Sequence, residues 1–470
     1  MIELEVKESA TIGTLTLGEL NRLATIKRPV VTESVRQGDP LAGITVTEEY
    51  LRVKGLLESG YQLVFVSGKA GTGKSTLIHY MRHSYKDNIV VVAPTGVAAL
   101  NVGGVTIHSY FQLPPRIITE DDIKKAKDRR LYSRLDLLIV DEISMVRADI
   151  VDAMDKFLRL NGRSKDLPFG GTQILLVGDL FQLPPVVTKQ DEKLMDQMGY
   201  ASPYFFSAKS SEQCRVATVE LTRIFRQRDP DFANMLNQIR EAENLKEILP
   251  RINAACTSKD RDESIINLTC TNAVADQHNL TRLQMLTGEP FLYVGEITGK
   301  FAVEEERLPS PINLELKVGA QVMLTKNDEL KRWVNGSLGR VVELRADNIK
   351  VELLTDTQGI VYDVQPVTWE SYRYEFDNLK GRIVPVVAGR YVQYPLMLAW
   401  AVTIHKCQGK TLERVQVDLG SGAFASGQVY VALSRCRSLS DIQLTRPIRV
   451  GEVKCDPTIL RFYKALDGSH

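Results

Sequence analysis

Residues 68–75 read Gly68-Lys69-Ala70-Gly71-Thr72-Gly73-Lys74-Ser75, followed by Thr76. Glycines at this spacing let successive backbone N–H groups curl around a polyphosphate, and a helix starting behind them adds its positive end. Lys74 is then placed to reach β- and γ-phosphates, and the Ser75 hydroxyl to face Mg2+. The context agrees, because the apolar run YQLVFVS (61–67) precedes the loop and the helical pattern TLIHYMRH (76–83) follows it. A second run, LDLLIVDE (135–142), ends in two carboxylates. Adjacent acids at a strand tip are costly unless a cation compensates them. Asp141 is placed to hold the Mg2+, and Glu142 to polarise a water for in-line attack on the γ-phosphate. A third run, QILLVGD (173–179), leads into Leu180-Phe181-Gln182-Leu183-Pro184-Pro185. If the three runs are neighbouring strands, Gln182 emerges beside the other two tips, where it can sense the γ-phosphate or orient the water. The chemistry these residue types support is hydrolysis of a nucleoside triphosphate with Mg2+.

Parallel strands must position these tips. YQLVFVS, NIVVVAPT (88–95), LDLLIVDE and QILLVGD are continuous Val/Ile/Leu runs closed by polar loops, as strands covered on both faces require. A second set follows: SIINLTCTN (264–272), LMLAWAVTIH (396–405) and RVQVDLG (414–420). Two sets predict two α/β cores. Between them, GRVVELRADNIKVELL (339–354) and QGIVYDVQPVTWESYRYEF (358–376) alternate apolar and polar residues, which predicts a small antiparallel barrel inserted in the second core. The expected organisation is an arm over 1–46, a first domain over 47–220, and a second over 221–339 and 393–455. The inserted barrel covers 340–392, and a tail 456–470.

The chain has 470 residues, enough for about three domains. Lys plus Arg number 59 and Asp plus Glu 58, a net charge of +1, which argues against a broad basic face for duplex DNA. Any nucleic acid should lie in a local groove. One basic-leaning stretch, 116–134, carries seven basic and four acidic side chains. None of the six cysteines sits at C-x-x-C spacing, so reduced thiols in a reducing compartment are expected. Residues 391–405 form an uncharged apolar stretch, but it contains Pro395 and falls short of the roughly 20 residues a membrane helix needs. The acidic N-terminus, MIELEVKESA, does not resemble a secretory signal or transit peptide. An intracellular protein without membrane contact is expected.

Further blocks bring a resemblance. APTGVAALNVGGVTIHSYF (93–111), IVDEISMV (139–146), PFGGTQILLVGDLFQLPPV (168–186), SPYFFSAKS (202–210) and LTRIFRQRDPDF (221–232) join the Gly-rich loop. VGAQVMLTKND (318–328), WVNGSLG (333–339), VTIHKCQGKTLERVQVDL (402–419) and GQVYVALSRCRSL (427–439) follow in the same order. The set resembles the Pif (petite integration frequency) family of superfamily-one, B-type DNA helicases, over roughly residues 60–445. The G-D-x-x-Q-L-P-P element is shared with RecD-type helicases or recombination subunits, which stay as an alternative. An ATP-gated nucleic-acid-binding module without unwinding is a second one. One departure from the family is that TVTEEYLRVKGLLESG (45–60) holds no Gln to read adenine.

The resemblance implies an α/β fold of two tandem RecA-like parallel-sheet domains, with a small Src-homology-three-like antiparallel β-barrel in the second. It implies that Arg226 and Arg435 reach across the cleft to the γ-phosphate, and that Gly409 joins the Gly-rich loop in binding nucleotide. ATP then draws the domains together, and hydrolysis lets the cleft open. Candidate DNA contacts are Thr95, Thr106, His108, Phe111 and Phe181 in the first domain, and Asn272, Thr403, His405 and Lys406 in the second. Phe111, Phe181 and Trp400 are read as stacking platforms or core aromatics. The stretch 116–134 takes the place of the element that splits the duplex. The implied activity is 5′→3′ translocation on single-stranded DNA. The implied partners are forked or tailed duplexes, G-quadruplexes and RNA–DNA hybrids, with a monomer in the absence of DNA. The implied roles are DNA replication, repair, recombination and telomere maintenance. A motor that regrips at each step needs a modest positive surplus along one interdomain groove and at 116–134, not a broad basic face.

Overall fold

The computed structural model describes residues 41, 44–85, 88–227, 229–257, 265–301, 308–354, 359–420, 422–423 and 425–467. Almost all of the expected arm over 1–46 lies outside them.

Six parallel strands build the first core: β1 (Leu63–Gly68), β2 (Ile89–Ala93), β3 (Val105–Thr106), β4 (Leu137–Val140), β5 (Gln173–Gly178) and β6 (Val216–Leu221). Their order across the sheet is β3-β2-β4-β5-β1-β6. β1, β2, β4 and β5 are buried almost throughout, which is why their sequences run apolar instead of alternating. β4, β5 and β1 are consecutive neighbours, so the three tips singled out in the sequence emerge side by side.

The second core is a parallel sheet in the order β18-β7-β19-β20, from β7 (Ile266–Thr269), β18 (Ala401–Thr403), β19 (Val415–Asp418) and β20 (Ile442–Leu444). The run LMLAWAVTIH is two strands and not the single one expected. β17 (Leu396–Leu398) pairs antiparallel with β11 (Gln321–Leu324), and β18 then pairs parallel with β7. The chain changes sheet at Ala399 and Trp400, whose backbone groups bond Gln321 on one side and Asn267 on the other. An apolar run carries no mark of such a switch, because both of its strands are apolar.

The antiparallel part begins at Phe291, well before residue 340. β8 (Phe291–Val294) pairs with β10 (Asn313–Leu316). A five-stranded sheet orders β14-β13-β12-β11-β17, with β12 (Leu338–Arg345), β13 (Asn348–Leu353) and β14 (Val361–Val364). The long hairpin of β15 (Val367–Asp377) and β16 (Arg382–Gln393) pairs with β9 (Glu296–Gly299) in a separate sheet. This hairpin reaches the first domain: Tyr374 and Ile383 join its core, and the Tyr374 hydroxyl accepts from Val91 N–H at 3.3 Å.

The C-terminal segment is likewise no tail. Residues Pro457–Asp467 form a helix whose Ile459, Leu460, Phe462 and Tyr463 pack on the first core, although the preceding chain belongs to the second. Phe462 stacks on Phe206 at 4.2 Å. All six cysteines are free. Among the described residues, no helix is long and apolar enough to cross a membrane.

Candidate active site

β1 ends at Gly68, and the helix Lys74–Ser84 starts after a loop whose Gly71 and Gly73 have φ of +82° and +88°. A Cβ on Gly73 would stand 2.5 Å from the Tyr50 hydroxyl, and one on Gly71 would stand 2.4 Å from Cβ of Arg226. Glycine is thus required twice over, by backbone conformation and by close approach. Tyr50 donates to the Gly73 carbonyl at 2.7 Å. Lys74 Nζ donates to the carbonyls of Gly68 (2.7 Å) and Lys69 (3.0 Å). Burial lowers the Lys74 pKa, and the nearby carboxylates Asp179, Glu142 and Asp141 oppose that shift.

Asp141 is buried just past β4, and its carboxyl is pushed up to about 7 by burial and by neighbouring Glu142. Glu142 is also raised, mainly by burial, with Lys74 and Arg435 pulling it back. Its backbone is left-handed at φ 49°, which turns its side chain out of the strand line. Beyond β5, Asp179 is fully buried and organises the third tip. It accepts from Gln182 Nε2 (3.2 Å), Tyr430 Oη (3.1 Å) and Phe181 N–H (3.3 Å), and pairs with Arg240 (3.2 Å).

A cavity of about 700 Å3 opens between the two cores. Ala70, Gly71, Thr72, Gly73, Lys74, Ser75, Thr76, Glu142 and Gln182 line it from one side. Gly409 and Arg435 line it from the other, with Arg226 between them. Of the expected nucleotide and metal residues, Gly68 and Asp141 are not part of this lining. Arg226 Nη1 and Nη2 donate to the carbonyls of Ser434 (3.2 Å) and Gly409 (3.4 Å). Burial, with Arg435 close by, lowers the Arg226 pKa to about 9. Arg435 is fully buried and donates to Cys407, Lys410 and Val431 carbonyls.

Several site residues were not singled out by sequence. Ile44, Thr45, Tyr50, Phe225, Thr411 and Arg437 complete the cavity wall. Gln408 donates towards Glu142 (3.3 Å) and Gln182 (3.5 Å). Tyr430 accepts from the Ala70 N–H (3.0 Å) and so links the second domain to the phosphate loop. These side chains have no distinctive local spacing; the Tyr and Gln inside matched blocks were the available signal.

Two expected stacking platforms are corrected. Phe111 is fully buried, edge-on to Tyr110 and Phe157 in the first core. Phe181 is enclosed between Tyr463, stacked at 5.1 Å, and Arg240, 3.9 Å from its ring centroid. Neither ring presents a free face to a base. Trp400 is likewise buried in the antiparallel core. Thr95 and Thr106 cap the helices Gly96–Asn101 and Ile107–Phe111 with their hydroxyls. Thr403 is buried, and its hydroxyl accepts from Lys406 N–H. His108 and His405 are half-buried, while Asn272 and Lys406 are exposed.

A family profile described as PIF1-like helicase matches residues 51–259. ATP-dependent DNA helicase Pif1 of Bdellovibrio bacteriovorus is 33% identical over 91% of this chain and 94% of its own. The chain belongs to the PIF1-like helicase family. The PIF1 helicase of Emericella nidulans is 34% identical over 91% of this chain. This chain spans 63% of that relative and 61% of the human one, a little under two thirds of each. Among solved structures, Bacteroides sp Pif1 in complex with ADP-AlF4 is 36% identical, with a TM-score of 0.82, covering 91% of this chain and 98% of that one. A Bacteroides Pif1 bound to single-stranded DNA matches at a TM-score of 0.65, with 36% identity over 91% of this chain and 98% of that one. This PIF1-like chain shares the tandem α/β architecture with its antiparallel insertion, as the fold class predicted.

Proposed function

We propose that the chain is an ATP-dependent DNA helicase that translocates 5′→3′ on single-stranded DNA and unwinds forked or tailed duplexes. The observation that carries this reading is the shared cavity. Lys74, Glu142 and Gln182 from one core meet Arg435 from the other, with Arg226 bridging, around a space sized for a nucleoside triphosphate. Lys74 holds the β- and γ-phosphates, Glu142 orients the attacking water, and Gln182 reads the γ-phosphate. Arg226 and Arg435 present fixed positive forks to charge developing in the transition state. Only a closed cleft brings all five to one phosphate, so nucleotide state biases the cleft.

Two adjacent buried carboxyls, both raised by burial, fit a site completed by a cation and phosphate oxygens. Ser75 and Asp141 are the residues to hold Mg2+, which when bound neutralises phosphate charge. The DNA path we propose runs past His108 and the capped loops of Thr95 and Thr106, then past Asn272, Thr403, His405 and Lys406. The 116–134 segment carries the splitting element: Lys124, Lys125, Lys127 and Arg129 are exposed, while Arg130 is tied to Asp128 and to Asn378 of the β15–β16 turn. G-quadruplexes and RNA–DNA hybrids are further substrates under this reading, with the protein acting as a monomer in the absence of DNA.

A strand-displacement assay on duplexes with a 5′ or a 3′ tail tests the proposal. Displacement from the 5′ tail, dependent on ATP and Mg2+, is expected. No displacement from either would leave an ATP-gated binding module, and displacement only from the 3′ tail would overturn the polarity.

A further inference from the structure

Among the described residues, the side chain that donates to the Glu142 carboxylate is Gln408, from the other domain. The same amide nitrogen lies 3.5 Å from Gln182 Oε1. One amide group therefore touches both the proposed water-orienting carboxylate and the proposed γ-phosphate reader. Neither the Gly-rich loop nor the two arginines does this.

Gln408 also sits in a segment with a second face. Residues 403–410 leave the end of β18 as a tight run of consecutive backbone bonds. Cys407 N–H donates to Thr403 O (3.2 Å), Gln408 N–H to His405 O (3.1 Å), and Lys410 N–H to Cys407 O (3.1 Å). Cys407 is buried and pins the middle of the run. Arg435 donates to the carbonyls of Cys407 and Lys410, both at 3.1 Å, and Arg226 to that of Gly409 at 3.4 Å. Both cleft arginines thus hold the piece of backbone that carries Gln408. Two and three residues earlier stand Lys406, exposed, and His405, half-buried, on the proposed DNA path. A shift at 405–406 cannot be absorbed by slack in so short and so bonded a run, so it moves Gln408.

We infer that Gln408 is a positioning residue that couples DNA on the 403–406 side of this segment to the orientation of the Glu142 carboxylate. The inference rests on the helicase reading above. Its donor fixes one carboxylate oxygen and leaves the other to the water, so a DNA-driven movement of the turn tunes the base without touching the nucleotide. A general base contributes only when it is held within hydrogen-bond reach of its proton.

The test compares wild type, Gln408→Ala and the near-isosteric Gln408→Glu. ATP hydrolysis is measured alone and with saturating oligothymidylate, alongside ATP KM and oligonucleotide Kd. Gln408→Ala is expected to lower the ratio of DNA-saturated to DNA-free kcat by about tenfold, a modest share of a general base's effect. KM and Kd are expected to stay within about twofold, as for a residue that positions another and does not bind. Gln408→Glu removes the donor and sets a like charge against Glu142, so it should lose at least as much. A wild type stimulated by DNA, with both variants stimulated equally well, overturns the inference alone. An equal fall with and without DNA also overturns it, because that marks a merely structural role. A wild type with no stimulation at all overturns the helicase reading and this inference with it.

Discussion

The Asp179–Arg240 pair makes a quantitative prediction. The two side chains are 0% and 3% exposed and come from different domains, Asp179 from beyond β5 and Arg240 from the helix Pro230–Glu241 in the second core. Arg240 Nε and Nη2 donate to Asp179 Oδ1 at 3.3 and 3.2 Å, and the guanidinium covers the Phe181 ring at 3.9 Å. Arg240→Met keeps an unbranched apolar stem but leaves the carboxylate in contact with three neutral donors, Tyr430, Gln182 and the Phe181 N–H, with Lys74 a nearby cation outside ion-pair distance. Breaking one side of a buried pair costs about 3–5 kcal/mol, because an uncompensated charge stays behind. Most of that cost belongs to the charge and not to lost contacts. Adding Asp179→Asn to Arg240→Met should therefore recover at least half of it, even though one more native group has been changed. Urea unfolding followed by both tryptophan fluorescence and far-ultraviolet circular dichroism measures this, since two cores need not unfold in one step. A loss below about 1 kcal/mol in Arg240→Met, or a double variant less stable than the single, would refute the reasoning.

Three more outcomes follow from named contacts. Gly73→Ala forces a left-handed Ala against the Tyr50 hydroxyl, so ATP affinity should fall at least about tenfold in a fluorescent-nucleotide titration, and adding Tyr50→Phe should not restore it because the φ of +88° remains. Arg226→Ala should lower kcat about 1,000-fold or more while nucleotide Kd moves far less; a kcat within about tenfold of wild type would remove Arg226 from the transition state. Phe462→Ala, which loses the stack on Phe206 and the contacts with Phe205 and Phe65, should destabilise the first core by about 2 kcal/mol on thermal unfolding, and no shift would mean the C-terminal helix is not held by these rings.

The first core was legible because its signals are local. A buried parallel strand must be apolar along its length, and a turn onto a helix N-terminus needs glycines, so 61–76, 135–142 and 173–182 declared themselves. The second core was harder. Leu396–Leu398 and Ala401–Thr403 form one apolar run, yet they serve two sheets, because the switch depends on partners more than 70 residues away at Gln321 and more than 130 away at Asn267. The helix Pro457–Asp467 carries apolar Ile459, Leu460 and Tyr463 at helical spacing, but only the rings of the first core, Phe65, Phe205 and Phe206, show what it covers. Phe111 and Phe181 mislead in the opposite sense, since an aromatic beside a loop reads alike whether it faces a base or a core.

By itself, the sequence determined the identity of the phosphate loop, the acidic strand tip and the two α/β cores, because each is specified by residues within a few positions of one another. It carried Arg226 and Arg435 only through their surroundings. Tertiary structure alone decided that Gln408 reaches Glu142 across 266 positions of chain, that Tyr430 meets Ala70 across 360, and that Arg240 closes on Asp179. Such contacts are set by how two cores pack against each other. That packing depends on the summed shape of both surfaces, which no short stretch of residues encodes.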